Sequence, residues 1–125
     1  MRKKENSNGN SLEDRRVLIA KALPSDALAI QKVFYHTWME TYPDKNTGIT
    51  KSDIDDRFKF AFDGSTIRKR SERLRNPPPG EVVLVARIMG KVVGVCILGR
   101  YRHKNQLHAI YVLPRYQRLG IGTAF

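Results

Sequence analysis

The last twenty residues, QLHAIYVLPRYQRLGIGTAF, constrain the fold more than any other part of the chain. An apolar run ends at Pro114, and a basic, polar segment then leads to Gly120 and Gly122. Glycine has no Cβ atom, so several backbone N–H groups can approach one anion where a strand turns into a helix. The positive end of the helix dipole adds to this attraction. The pattern therefore predicts a strand, a turn and a helix that together suit a pyrophosphate.

Two other phosphate-binding loops fit this segment less well. A Walker loop needs Gly-Lys-Ser/Thr at the start of its helix, whereas Gly122 is followed by Thr123 and Ala124. A dinucleotide fingerprint needs a third glycine at the position of Phe125. An ordinary glycine-rich turn that binds no ligand remains open as the plain alternative.

The N-terminal half predicts a strand followed by helices. A short apolar run within residues 16–22 is typical of a strand, and Ser25 is placed as the N-cap of a first helix, which ends near Tyr42. One buried face of that helix follows the i, i+3, i+4 spacing. Its members are Ile30, Val33, Phe34, Thr37 and Trp38.

A second helix is predicted to begin after Thr50, with Asp53 placed as the acid of a capping box. Gly64 interrupts this helix, and a basic helical stretch continues to Arg75. Three prolines at residues 77–79 end it, because proline cannot continue a helix. Its apolar stripe comprises Ile54, Phe58, Ala61 and Phe62.

Three β-branched or apolar runs follow, over Val82–Ile88, residues 92–98 and residues 106–113. Met89-Gly90-Lys91 separates the first two runs, which predicts a hairpin. Gly94, inside the second run, indicates a bulge or a close approach of another backbone. The predicted order is β-α-α-β-β-β-(α), which is an α/β fold of the α+β type.

The C-terminal segment resembles the acetyl-coenzyme A motif of the GNAT family of N-acetyltransferases. The residues that carry the resemblance are Tyr111-Val112, Pro114 and Gln117-x-x-Gly120-x-Gly122, which match the family pattern Q/R-x-x-G-x-G/A after a central strand. The match is strong over residues 106–125, and the order of elements agrees back to about Arg16. The family fold is a mixed, mainly antiparallel sheet flanked by helices.

The family's further helix and closing strands have no counterpart in this sequence. We therefore expect residues 1–15 to be a disordered basic tail, and residues 16–125 to be an acetyltransferase domain truncated at its C-terminus. The reading frame of the parent protein is expected to continue beyond Phe125. Whether the truncated chain is itself active stays open.

The resemblance implies transfer of an acetyl group from acetyl-coenzyme A, as cosubstrate, to a primary amine of a small molecule, peptide or protein. The backbone of Ile110, Tyr111 and Val112 would bind the pantetheine arm and polarise the thioester. The pyrophosphate would lie against a second set of cofactor-binding residues. These are Gln117, Arg118, Leu119, Gly120, Ile121, Gly122 and Thr123.

The catalytic groups are incomplete. Many relatives have a glutamate base where Gln106 aligns, and an amide cannot accept a proton usefully. His108 lies two residues further along the predicted strand, which would place it on the same face, and its ordinary pKa suits a base. A structural histidine remains the alternative. The tyrosine that commonly acts as the acid would lie beyond Phe125.

The acceptor amine is expected near the junction of the two N-terminal helices, which lines the acceptor pocket in the family. Trp38 and Tyr42 are the candidate substrate-binding residues there, with Trp38 also suited to the core. Three carboxylates of the second helix could attract a cationic amine, or could simply be solvated. They are Asp53, Asp55 and Asp56.

The formal net charge is +11 over 125 residues, and the excess is concentrated in two segments. Residues 66–75 hold five basic groups and one acid, and residues 100–118 hold five basic groups and no acid. This charge keeps a small nucleic-acid-binding module without catalytic activity as the alternative function. That module is disfavoured, because the strands lack the aromatic stacking motif of RNA-recognition domains.

Cys96 lies in an apolar run and is expected to be a small buried side chain rather than a nucleophile. The three histidines have no metal-ligand spacing, so no metal site is predicted. No apolar run approaches the roughly 20 residues of a membrane span, and no secretory signal is visible, so a cytoplasmic location is expected. Formation of a homodimer stays open.

Overall fold

A computed structural model of the protein describes residues 16–101, 104–119 and 121–125. The described strands are β1 (Leu18–Lys21), β2 (Val82–Ile88), β3 (Lys91–Tyr101) and β4 (Lys104–Val112). The described helices are α1 (Ala27–Thr41), α2 (Lys51–Arg57), α3 (Gly64–Arg75) and α4 (Ile121–Ala124). Short 3-10 helices cover Pro24–Asp26 and Pro114–Leu119. The predicted tail, residues 1–15, lies outside the described residues.

The strands form one sheet in the order β1-β2-β3-β4, and each strand pairs antiparallel with the next. A two-residue turn joins β2 to β3, because Ile88 pairs with Lys91. Met89 and Gly90 in that turn have φ angles of 53° and 80°. Positive φ at both positions is the geometry that matches the twist of a tight hairpin. The predicted hairpin and the predicted fold class are confirmed.

Helix α1 packs its apolar face against the middle of the sheet. Ile30 and Val33 are buried together with strand residues that include Val85 and Val95. This arrangement confirms the predicted buried stripe, although Phe34 and Trp38 at its edge remain half-exposed. Burial of side chains of this size contributes about 1.5–3 kcal/mol each, so α1 is the helix most firmly fixed to the sheet.

The start of α1 differs from the prediction, because its N-cap is Asp26 and not Ser25. Ser25 lies within the preceding 3-10 helix and is exposed. Asp26 is only 7% exposed and accepts hydrogen bonds from the backbone N–H of Leu23 at 2.7 Å and from Arg87 at 2.9 and 2.6 Å. The Asp26 carboxylate is buried because it forms an ion pair with Arg87 on β2. The uncharged side chain of Ser25 cannot form such a pair.

The predicted second helix is two helices. The capping box at its start is confirmed, since Thr50 Oγ1 accepts from the Asp53 N–H at 3.1 Å and Asp53 Oδ2 accepts from the Thr50 N–H at 2.8 Å. Helix α2 ends at Arg57, and Gly64 begins α3 instead of interrupting a longer helix. The turns between them bring the rings of Phe58 and Phe62 to 5.6 and 5.7 Å from Tyr35.

Candidate active site

The end of β4 is tied to the turn that follows it. Leu113 still pairs with β3, since its N–H donates to the Val93 carbonyl at 2.9 Å. Pro114 has no N–H and ends this pairing. The Gln117 side-chain amide then donates back to the Val112 carbonyl at 3.0 Å. These hydrogen bonds fix the path of the chain from β4 towards α4, so the side chain of Gln117 stabilises the turn.

Gly94 on β3 is the point where α4 meets the sheet. A Cβ atom there would lie 3.3 Å from each of three atoms, in the side chains of Ile121 and Phe125 and in the Tyr111 carbonyl. Ile121 is fully buried. The pairing of β2 with β3 also shifts next to Gly94, leaving Val93 as an extra residue. Both expectations for Gly94, a bulge and a close approach, are therefore confirmed.

Strand β4 presents different groups to the two faces of the sheet. Tyr111 pairs with Val95, and its ring meets the edge of Phe34 on α1 at 4.9 Å between centres. Successive strand residues alternate between faces, so Ile110 points to the opposite face, where it is 38% exposed. The Cβ position of Gly94, beside Val95, likewise faces away from α1 and towards α4. The strand predicted to bind the pantetheine arm thus lies between α1 and α4.

A cleft of about 450 Å³ lies between α1, the turns after α2, and α3, and it reaches Tyr111. We call it the aromatic cleft, because most of its apolar wall consists of rings. Its lining residues are Phe34, Trp38, Phe58, Phe60, Tyr111, Ala61, Gln31, Thr66, Arg57 and Arg70. Such a cleft, apolar with a few polar groups, is the usual form of a small-molecule site.

The two predicted substrate-binding residues occupy different positions. Trp38 lines the aromatic cleft, and the Arg57 guanidinium lies 4.4 Å from the centre of its ring. Tyr42 is 40% exposed and packs against Trp38 at 4.5 Å between ring centres, outside the lining of the cleft. The structure therefore places Trp38 at the cleft and Tyr42 behind it. Their roles in binding stay predictions.

The three carboxylates expected to attract a cationic amine do not line the aromatic cleft. Asp53 takes part in the cap of α2, and Asp55 accepts a hydrogen bond from the Tyr35 hydroxyl at 2.6 Å. That bond raises the pKa of Tyr35 above its ordinary value. Asp56 lies 3.5 Å from the Lys59 ammonium. Each carboxylate thus has a partner that lies outside the lining of the aromatic cleft.

A second cleft, of about 550 Å³, adjoins the first along α3. We call it the basic cleft, and its lining comprises Lys69, Arg70, Arg73, Glu81, Thr66, Gln31 and Ile97. Gln31, Thr66 and Arg70 belong to both clefts, and the sequence analysis did not identify them as site residues. Gln31 could have been found as a polar residue four positions after Ala27 on the buried face of the first helix.

The candidate base, His108, lies where the pairing of β4 with β3 shifts. Ala109 pairs with Ile97 and Leu107 with Leu98, so His108 is the extra residue. Because of this extra residue, the regular alternation of strand residues between the two faces is interrupted between Gln106 and His108. The spacing of two residues therefore no longer supports the prediction that they share a face. Other predicted site residues lie outside the described part of the chain. These are Gly120 and the side chains of Gln106, His108, Arg118, Leu119 and Thr123.

Cys96 is buried, and burial raises the pKa of its thiol, which disfavours the nucleophilic thiolate. Among the residues that the structure describes, no group of His, Cys, Asp and Glu is arranged to hold a metal ion. Within the same ranges, no helix combines the length and the apolar character needed to cross a membrane.

The sequence matches the model of the acetyltransferase (GNAT) family over residues 31–125. The chain belongs to this family. The match includes β4, the turn after it, α4 and all the residues that line the two clefts. A comparison with curated proteins finds no significant match.

Solved structures with the same fold include several GNAT proteins. PaiA N-acetyltransferase from Thermoplasma acidophilum, in complex with coenzyme A, matches 87% of this chain and 66% of its own, with 18% identity and a TM-score of 0.68. A GNAT-family protein from Desulfovibrio desulfuricans matches 87% of this chain and 60% of its own, at 21% identity and a TM-score of 0.56. YncA from Salmonella typhimurium, solved with its cofactor acetyl-CoA, matches 87% and 58%, at 23% identity and a TM-score of 0.53.

These identities show the fold alone. The chain spans less than two thirds of the length of each of the three GNAT structures, since the matched shares are 66%, 60% and 58%.

Proposed function

We propose that the protein takes part in transfer of an acetyl group from acetyl-coenzyme A to a primary amine. The observation that carries this proposal is the position of β4. Its end is tied into the motif turn by the bond from Gln117 to Val112, and the same strand reaches the aromatic cleft through Tyr111. A cofactor on the strand and an acceptor in the cleft would therefore meet at one place.

The residues present fit coenzyme A. Strand β4, Lys104–Val112, carries backbone N–H and C=O groups of the kind that pair with the amides of a pantetheine arm. By family resemblance, Ile110, Tyr111 and Val112 hold this arm, and residues 117–123 hold the pyrophosphate. Gly94 lets α4 approach the sheet closely enough for the motif to follow β4 directly. Bound acetyl-coenzyme A supplies the activated acetyl thioester.

The chain's own groups have three tasks in this reaction. Backbone N–H groups of β4 stabilise negative charge on the thioester oxygen, as preplaced donors do in acyl transfer. The rings of Phe34, Trp38 and Tyr111 exclude water from the acceptor. A base must take a proton from the acceptor ammonium, because only the neutral amine is a nucleophile. We propose His108 for this step, since an imidazole titrates near neutral pH.

Coenzyme A binding is tested at the glycine motif. In Gly120→Glu, a side chain and a negative charge are added where the pyrophosphate is expected. Calorimetry on the full-length protein should show the affinity for coenzyme A falling at least tenfold, which is about 1.4 kcal/mol. Gly64→Glu is the matched control, because residue 64 opens α3 and only the Arg68 guanidinium approaches its Cβ position, at 4.0 Å. This control should retain the affinity of the unchanged protein.

Equal affinities in the unchanged protein and in Gly120→Glu would remove the pyrophosphate assignment. The alternative, a nucleic-acid-binding module, is supported by the exposed cations of α3, which include Arg68 and Lys69. It predicts tight binding of a short oligonucleotide that weakens log-linearly with salt. If that binding is observed while coenzyme A neither binds nor competes, the acetyltransferase proposal is wrong.

A further inference from the structure

The two clefts share a wall formed by Gln31, Thr66 and Arg70. The aromatic cleft lies on one side of this wall and the basic cleft on the other. Arg70 is half-buried between them and contributes to both linings. An acceptor bound in the aromatic cleft therefore lies beside the Arg70 side chain.

Arg70 is held in place without a carboxylate. Its Nε donates to Gln31 Oε1 at 3.1 Å, and Gln31 Nε2 in turn donates to the Ala61 carbonyl at 3.0 Å. The guanidinium also lies 5.2 Å from the centre of the Phe34 ring. Gln31 is 6% exposed, so it is a firm support for the arginine. Among the described residues, no carboxylate forms an ion pair with Arg70.

The charge of Arg70 is therefore only partly compensated. Burial lowers the pKa of Arg70, the charge of Arg73 lowers it further, and Glu81 acts in the opposite direction. Arginine nevertheless stays protonated at neutral pH. A partly desolvated cation without an anionic partner is unfavourable, and a bound anion relieves that cost.

The other charges of the two clefts are mostly positive. Glu81 is the one carboxylate in the described linings, and Arg73 binds it through two hydrogen bonds of 3.0 and 2.8 Å. Lys69 and Arg57 add two more cations. The carboxylates of α2 are engaged elsewhere, as described above. A polycationic acceptor would find repulsion here, whereas an anionic one would find attraction.

We infer that the acceptor is an amine whose molecule also carries an oxyanion, either a carboxylate or a phosphate, and that Arg70 binds this oxyanion. This inference rests on the proposed acetyl transfer. The Phe34 ring neighbours both the Arg70 guanidinium, at 5.2 Å, and the Tyr111 ring, at 4.9 Å. An acceptor can thus place its oxyanion at Arg70 and its amine beside Tyr111, with the atoms between them packed on Phe34. Arginine suits this task because its fork of donors matches both oxyanions.

The test compares four acceptors with the full-length protein and acetyl-coenzyme A, by release of free thiol. Aspartate supplies a carboxylate, phosphoethanolamine a phosphate, glycinamide a neutral amine, and spermidine a polycation. We expect kcat/KM for aspartate or phosphoethanolamine to exceed that for glycinamide and spermidine at least tenfold. The better of the two anionic acceptors identifies which oxyanion the site takes.

Two variants test whether the preference for anionic acceptors depends on Arg70. Arg70→Gln should lower kcat/KM for the anionic acceptor at least tenfold and change that for glycinamide less than threefold. Arg70 also forms a hydrogen bond with Gln31, so its loss could disturb the cleft wall. A second variant therefore leaves Arg70 in place. Thr66→Glu adds a carboxylate to the shared wall and should raise KM for the anionic acceptor while lowering KM for spermidine. Arg68→Gln, which removes the same charge from an exposed position of α3 outside both linings, is the matched control and should leave all four rates within twofold.

The outcomes separate this inference from the proposed function. Thiol release that favours spermidine or glycinamide overturns the inference and leaves acetyl transfer intact. An equal loss for all four acceptors in Arg70→Gln, together with no change of KM in Thr66→Glu, also overturns it, because Arg70 would then be structural. Absence of release with every amine overturns the proposed function and this inference together.

Discussion

Helices α1 and α3 lie side by side, but they are held to the sheet in different ways. In α1, Ala27, Ile30 and Val33 are buried against the strands. In α3 no residue is buried, and Leu74 is only partly covered by the core. Each helix is also linked to the β2 region by an arginine–carboxylate pair. Asp26, the N-cap of α1, pairs with Arg87 of β2, and both side chains are largely buried. Arg73 of α3 pairs with Glu81, the residue before β2, and the Arg73 side chain is half exposed.

Because of this difference, we expect α1 to determine the stability of the fold and α3 to determine the charge of the cleft wall. Burying an aliphatic side chain contributes about 1.5–3 kcal/mol, whereas an exposed ion pair contributes at most about 1 kcal/mol. Substitutions on α1 should therefore affect folding first. Substitutions on α3 change the charge of the cleft wall at little cost in stability.

The largest expected effect breaks the pair at α1. In Asp26→Asn, the Arg87 guanidinium loses its charged partner in a largely buried position, and the free energy of unfolding should fall by about 3 kcal/mol. In Glu81→Gln, the corresponding pair with Arg73 is lost, but the Arg73 side chain is 53% exposed and water can replace its partner. That loss should be about 1 kcal/mol or less. Urea denaturation at pH 7 measures both, and equal losses would contradict the comparison.

The same pair predicts how stability depends on pH. Burial alone would raise the pKa of Asp26, but the hydrogen bonds from Arg87 and Leu23, and the charge of Arg87, outweigh it, so the pKa lies below its ordinary value. A carboxylate whose pKa is lowered by folding stabilises the protein above its unfolded pKa. That contribution is lost as the pH falls through the folded pKa. The difference in stability between the unchanged protein and Asp26→Asn should therefore shrink below about pH 4.

Features that depend on neighbouring residues could be predicted from the sequence. The β-branched run predicted β2 with its observed bounds, Val82–Ile88, and Met89-Gly90 predicted the turn after it. The Thr50–Asp53 capping box was predicted for the same reason, since its two hydrogen bonds join residues three apart. Local geometry decides such features, and local sequence specifies it.

Contacts between distant residues could not be predicted in this way. Arg70 and Gln31 are 39 residues apart, and Asp26 and Arg87 are 61 apart. Their pairing depends on how α1 and α3 pack on the sheet. For this reason the local sequence favours Ser25 as the N-cap instead of Asp26, and it does not predict the shared wall of the two clefts. The resemblance indicated β4 and the glycine motif, and the composition indicated a basic third helix, but only the structure shows which of its cations line the two clefts.

A pair of glycine substitutions should give the next largest effects, with opposite signs. In Gly94→Ala, the new methyl group would lie 3.3 Å from the Tyr111 carbonyl and from the side chains of Ile121 and Phe125. The carbonyl belongs to a paired strand and cannot easily move, so stability should fall by about 1–2 kcal/mol. In Gly64→Ala, the methyl group meets only the end of Arg68, and helix formation should improve stability by about 0.5 kcal/mol. Thermal unfolding of both variants tests this, and a loss at residue 64 as large as that at residue 94 would contradict it.

The smallest expected effect concerns the cap of α2. In Thr50→Ala the backbone N–H of Asp53 loses its acceptor, which costs about 0.5–1 kcal/mol in an exposed helix. Only Ile54 of α2 is buried, so the helix should fray locally rather than unfold the domain. Hydrogen exchange should therefore accelerate in α2 and remain unchanged in α1. Since Phe58 follows α2 and lines the aromatic cleft, KM for the acceptor should rise while the affinity for coenzyme A stays the same. Faster exchange throughout α1 would show that α1 and α2 unfold as one unit, and the expectation that α1 is held more firmly than the other helices would be wrong.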